Sequence, residues 1–178
     1  MKKIFVMMTA LMLALAMGTA AMAEGNGFAF RNGITFGMSM KQVIAGETVR
    51  YHEIDNEYTR GGITFAVIEY EDVPENNVRA DLKYLFAGDE LAAIRVNYET
   101  RDISYEQVKA DLTEKYGKAG SVDLAVLANG IYAVDEDGKL EGRAEAIVSG
   151  SLMIVIEQDE DDIDVTFVDL AAAYVSAS

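Results

Sequence analysis

The sequence predicts an α+β fold, a tandem pseudo-repeat in which a capped helix followed by antiparallel strands occurs twice, with the helices on one face of an antiparallel sheet. Three observations carry that expectation. Gly37-Met38-Ser39-Met40-Lys41-Gln42-Val43 and Asp102-Ile103-Ser104-Tyr105-Glu106-Gln107-Val108 both place Gln three positions after Ser, the spacing of a capping box. Each box is flanked by an apolar pair, Met38 with Val43 and Ile103 with Val108, which is the spacing of a hydrophobic staple. After each box come alternating apolar runs broken by Gly-containing turns. The serines lie 65 positions apart, so the units are expected at 24–101 and 102–178 of one compact domain.

Residues 1–23 have the three parts of a secretory signal: Met1-Lys2-Lys3, the apolar run Ile4 to Met17, and the small-x-small site Ala21-Met22-Ala23. The apolar run is shorter than the ~20 residues that span a bilayer and lacks a basic stop-transfer flank, so cleavage before Glu24 is expected. Export to the periplasm or the exterior follows. The chain has no Cys, which rules out a Cys-borne lipid anchor and any disulfide, and leaves the exported domain to hold together by its core.

Phe28-Ala29-Phe30-Arg31-Asn32-Gly33-Ile34-Thr35-Phe36 alternates around Asn-Gly and predicts a short hairpin or bent edge strand. The first capped helix carries Met40, Val43 and Ile44 on one face and stops near Gly46. Residues 47–62 read as a surface connection with one short strand. Ile63 to Tyr70 is apolar on both faces and predicts a strand inside the sheet, ended by Val73-Pro74. Leu82, Tyr84 and Phe86, then Gly88-Asp89, then Ala92, Ile94, Val96 and Tyr98 make the plainest hairpin, with Lys83 and Arg95 turned to water.

The second helix is expected over Tyr105 to Tyr116, ending at Gly117, with Glu106 in its first turn and Lys115 at its end, as the helix dipole prefers. Val122 to Val126 and Ile131 to Val134 flank Asn129-Gly130 as another hairpin. Arg143 to Val148, Leu152 to Glu157 and Ile163 to Val168 are three further strands, and the small apolar tail from Leu170 reads as a frayed end.

The formal charge of −15 becomes −17 once Lys2 and Lys3 leave with the signal. A chain this acidic repels phosphate backbones and anionic lipid heads, which excludes nucleic acid and membrane surfaces as partners. The apolar fraction is that of a packed globule, so the charge serves solubility rather than disorder.

His52 is the single His and the natural acid–base candidate, with Glu53 and Asp55 beside it to orient it. No Gly-x-Ser-x-Gly elbow is present and no thiol nucleophile is possible. Asp135-Glu136-Asp137-Gly138 and Asp159-Glu160-Asp161-Asp162 crowd oxygen ligands, and Asp137 and Asp159 are the candidate Ca²⁺ residues. Neither run fits the twelve-residue loop, since the bidentate Glu is missing at its spacing, and both also read as turn chemistry. Tyr70, Tyr84 and Tyr98 recur on strands; Tyr84 is assigned to the core, while Tyr70 and Tyr98 are candidates for recognising a partner.

The stretch Gly37 to Val43, followed by paired strands and a second helix ending Lys115-Tyr116-Gly117, resembles the Gly-Met-Ser/Thr helix start of the small envelope proteins grouped as BamE/SmpA-like. That fold is shared, in tandem duplicate, by the β-lactamase inhibitory proteins. Phe30 through Val43 also resembles a group of secreted bacterial proteins without an assigned role. The resemblance implies a non-enzymatic binding module. The expected function is therefore an exported acidic module that binds an envelope or extracellular protein or a glycan without a cofactor. The competing expectations are a small extracytoplasmic hydrolase or lyase using His52, and a secreted Ca²⁺-binding protein.

Overall fold

Gly88-Asp89 is the turn from which the sheet grows. Gly88 sits at φ +65°, a conformation a Cβ would strain, and its N–H donates to Thr64 O at 2.7 Å. In the computed structural model, which describes residues 28–60, 63–75, 77–120 and 143–170, this turn joins β3 (Val78–Ala87) to β4 (Glu90–Glu99) in an antiparallel pair. β2 (Ile63–Glu75) pairs with β3, and β1 (Glu53–Arg60) closes that side. On the other side β4 pairs with β7 (Asp162–Asp169), then β6 (Leu152–Gln158), then β5 (Arg143–Ser149). The order is β1-β2-β3-β4-β7-β6-β5, one antiparallel sheet of seven strands.

This overturns the tandem pseudo-repeat of helix and strands. The protein is dominated by one continuous sheet, and β4 pairs with β7 along seven residues, Ala93↔Val168 to Glu99↔Asp162, across the expected boundary at 101/102. Only two short α-helices occur among the described residues, α1 (Met40–Gly46) and α2 (Tyr105–Tyr116). The physical reason is one of range. A capping box specifies how a helix begins, which is local, and carries nothing about which strands pair.

The two helix starts themselves are present, though unequally. Ser39 Oγ accepts from Gln42 N–H, and Gln42 Oε1 accepts from Ser39 N–H at 2.9 Å, a complete box. At Ser104 the forward half is made, with Oγ accepting from Gln107 N–H at 3.3 Å. Val43, Ile103 and Val108 are buried in the same core as the inner face of the sheet. Across that face run rows such as Tyr70, Leu82, Val96, Val165, Ile156 and Ile68, Tyr84, Ile94, Phe167, Ile154. Each such side chain contributes roughly 1.5–3 kcal/mol by leaving water, which is what holds a helix as short as α1 in place.

The opposite face is apolar at one end, where Val67, Leu85, Ala93 and Val168 form a buried row. At its other end it is charged. Lys83 and Arg95, expected to point to water, are part-buried there: Lys83 Nζ lies 2.5 Å from Glu69 Oε1, and Arg95 makes a forked pair with Asp164, its Nε donating to Oδ1 at 2.8 Å.

Three further expectations change. Within residues 28–36 the expected Asn32-Gly33 turn forms, at φ 54° and 74° with Ile34 N–H donating to Arg31 O at 3.1 Å and Phe30 N–H to Ile34 O at 2.7 Å, but the flanking residues do not extend it into a stranded hairpin. β2 does not stop at Val73-Pro74 but runs on to Glu75 through a bulge between Tyr70 and Val73, where Asp72 takes φ 53°. β1 pairs only as far as Glu69, so Pro74 lies where β2 is itself the edge and a missing donor is tolerated. The least legible stretch, 47–62, supplies the edge strand β1. The expected signal segment 1–23, the 122–134 hairpin and most of the C-terminal tail lie outside the described residues.

Candidate functional site

Two concave surfaces stand out, and a buried polar cluster ties one of them to the core. Glu47 follows α1 directly as its C-cap, and its side chain has 0% exposure. A carboxylate in that position needs compensation, and three groups supply it. Tyr84 Oη donates to Glu47 Oε1, Asn32 Nδ2 donates to Oε2 at 3.2 Å, and Arg31 Nε stands 3.4 Å from Oε2. Arg31 also donates through Nη1 to Pro74 O at 2.9 Å and to Glu75 Oε2 at 3.3 Å. The Asn32-Gly33 turn thus aims Arg31 inward.

Burial is the largest influence on the titrating groups here. It pushes Tyr84 far above the ordinary phenol value, with the hydrogen bond to Glu47 adding to it. Burial, then the charge of Glu47, pushes Tyr70 up to about 12. Burial also raises the Glu75 carboxyl, against the opposing pull of Arg31.

The first concave surface is a cavity of about 250 Å³ between α2 and the inner face of the sheet. Phe30, Tyr98, Leu112, Tyr116 and Phe167 form its walls, and Arg31, Glu75, Asp111 and Lys115 are its charged members. Phe167 stands 5.5 Å from Phe30 and 6.3 Å from Tyr116 between ring centroids, so the wall is a connected aromatic cluster.

The second is an open basin of about 710 Å³ at the end of the sheet where the β2 bulge, the start of β3, the end of β4 and the β6–β7 turn meet. Six carboxylates, Asp72, Asp81, Glu99, Asp102, Asp161 and Asp162, line it against two guanidiniums, Arg79 and Arg101. Asp81 Oδ1 accepts from Asp72 N–H at 2.9 Å and fixes the bulge. Arg101 Nε lies 2.6 Å from Glu99 Oε2. The Asp162 carboxyl is raised, first by burial and then by Asp159 and Asp164.

The residues singled out from sequence fall elsewhere. His52 is 53% exposed and Nδ1 meets Glu71 Oε2 at 3.3 Å, so its carboxylate neighbour comes from β2 rather than from Glu53. It borders neither concavity. Tyr70 and Tyr98 are 1% and 4% exposed and face inward under the helices, so neither presents its ring to a macromolecule. Tyr98 does line the cavity. Asp159 Oδ1 accepts from Asp161 N–H at 3.2 Å and Asp162 N–H at 2.9 Å, which makes it the organiser of the β6–β7 turn. Asp137 lies outside the described residues. Among the described residues no group of three or more His, Asp or Glu is placed to hold a metal ion.

Sequence reasoning missed Arg31 and Glu75 at the cavity, Glu47 buried beside Arg31, and Asp81 and Asp102 in the basin. Nothing local marks Glu47 as buried, since it is a charged residue following a glycine. The basin draws on segments from Asp72 to Asp162, of which only the run Asp159 to Asp162 is visible as a cluster along the chain.

Comparison with protein-family models, with curated proteins and with solved structures finds no match to this chain. No helix among the described residues is long and apolar enough to cross a membrane.

Proposed function

We propose that the chain is an exported, acidic, non-enzymatic binding module whose basin docks a basic surface of an envelope or extracellular protein. The observation that carries this reading is the charge of the basin, six carboxylates against two guanidiniums around an open depression. Such a surface attracts a cationic partner at long range and rejects anionic ones, which sets association rate and specificity. The resemblance of Gly37 to Val43 to the BamE/SmpA-like helix start agrees with a binding role. A glycan is the other partner class, since carboxylates and amides also bind hydroxyls.

Catalysis by His52 gains no support from the geometry. An exposed imidazole beside one exposed carboxylate, away from both concavities, lacks the nucleophile, the oriented base and the shielding from water that acid–base work uses.

The test is quantitative capture from host envelope and culture supernatant with the cleaved chain. A partner should be enriched by the wild type, weakened by added salt, and lost by about tenfold or more in Asp102→Lys/Asp161→Lys. Equal capture by the charge-reversed protein, or a turnover abolished by His52→Ala in a substrate screen, would contradict the proposal. Retention of binding by salt-insensitive sugar ligands would transfer the reading to the glycan class.

A further inference from the structure

The cavity under α2 has an electrostatic character distinct from that of the basin. Its walls are aromatic: Phe30, Tyr98, Tyr116 and Phe167 supply four rings. Ring faces carry negative charge density and attract cations, more so where water is excluded.

The charged groups around it do not cancel. Arg31 serves two carboxylates at once, Glu47 at 3.4 Å and Glu75 at 3.3 Å, so that cluster holds one carboxylate more than its single cation. Glu47 is fully enclosed, whereas Glu75 lines the cavity with 15% of its side chain exposed. Burial raises the Glu75 carboxyl most; Arg31 and Lys115 pull it down and Glu47 pushes it up. At the mouth, Asp111 and Lys115, four positions apart on α2, add one charge of each sign. Together Glu47, Glu75 and Asp111 exceed Arg31 and Lys115 by one negative charge.

One cation already uses these walls. Lys115 Nζ lies 5.0 Å from the centroid of the Tyr116 ring, and its charge reaches Glu75. A free cation of suitable size would meet the same ring and the same carboxylate from inside the cavity.

We propose that this cavity binds a small organic cation, an ammonium group carried on an aromatic or short aliphatic body, with Glu75 as counter-ion and the four rings around the hydrocarbon part. At about 250 Å³ the space is below the usual range for drug-sized ligands and admits a single-ring or short-chain molecule rather than a nucleotide or cofactor. An organic anion of the same shape is disfavoured, because Arg31 already faces two carboxylates and the chain as a whole carries −15.

Three probes of one shape separate the possibilities: benzylammonium, benzyl alcohol and benzoate, titrated calorimetrically into the full chain. Benzylammonium is expected to bind about tenfold more tightly than benzyl alcohol, with benzoate weakest. Glu75→Gln should erase the preference for the cation while leaving benzyl alcohol unchanged. Lys115→Gln, at the mouth of the cavity, should tighten benzylammonium severalfold by removing a like charge, and it serves as the readout if Glu75→Gln fails to fold. Binding of all three probes alike, a preference for benzoate, no binding at millimolar concentration, or weaker benzylammonium binding in Lys115→Gln would each overturn the proposal.

Discussion

Tyr70 and Tyr84 pack edge to face at 5.6 Å between centroids, yet their hydroxyls have opposite fates. Tyr84 donates to Glu47, while the buried Tyr70 hydroxyl has no hydrogen-bond partner among the described residues. Removing a satisfied group leaves Glu47 short of a donor, and removing an unsatisfied one relieves a desolvation cost. Tyr84→Phe should therefore lose about 1–3 kcal/mol, and Tyr70→Phe should hold or gain up to about 1 kcal/mol, in denaturant melts. Equal losses would contradict the assignment. Glu47→Ala should cost about 3 kcal/mol, the low end for a broken buried pair, because Arg31 keeps Glu75. The folded chain also holds the phenolic protons of Tyr70 and Tyr105 more tightly than the unfolded chain, whose tyrosines titrate near pH ~10. That contribution is complete below pH ~10 and is lost as pH rises to about 12, so stability should fall across this window as tyrosinate absorbance rises. A flat alkaline profile would contradict the burial of these rings. None of this was legible in the sequence beyond the assignment of Tyr84 to the core. Alternation places a side chain on a face, but what covers that face, and which acid returns to meet it, depends on chain far away in sequence.

The elements themselves were largely written in local chemistry. Ser104 and Gly117 bracket α2, Ser39 and Gly46 bracket α1, and Gly88-Asp89 and Ser149-Gly150 set two hairpins whose strands run close to the expected limits. The unequal boxes lead to unequal predictions: Ser39→Ala should cost about 1 kcal/mol and Ser104→Ala nearer 0.5 kcal/mol. The reverse order in thermal melts would show that the reciprocal Gln42 bond contributes nothing. Local rules failed where backbone strain is stored for tertiary reasons. At the β2 bulge Asp72 adopts a left-handed conformation, one that Asp tolerates but that its place inside a strand does not announce, and Asp81 from β3 fixes it there. Asp72→Gly should relieve that strain and stabilise by up to about 1 kcal/mol, since the exposed Arg79 pair it removes is worth little. Destabilisation in the same melt would mean that the Asp72 side chain, rather than its backbone, holds the bulge.

For the whole molecule, the pairing of β4 with β7 turns what read as two units into one sheet, and with it the acidic residues of distant segments collect at one end. Net charge foretold an acidic surface, but its concentration into a basin follows from strand order, which the sequence pattern leaves open. Export is a separate expectation of the N-terminal segment: intact mass from the native host should correspond to a chain beginning at Glu24, and a retained signal would contradict it. The central claim, binding through the basin without chemistry, is tested most directly by the salt dependence of affinity for a captured partner, measured for the wild type and for Asp102→Lys/Asp161→Lys. The account predicts affinity that falls steadily with added salt in the wild type and is about tenfold or more weaker, with little remaining salt dependence, in the variant. Affinity that is indifferent to salt and unchanged by reversing both charges would contradict it.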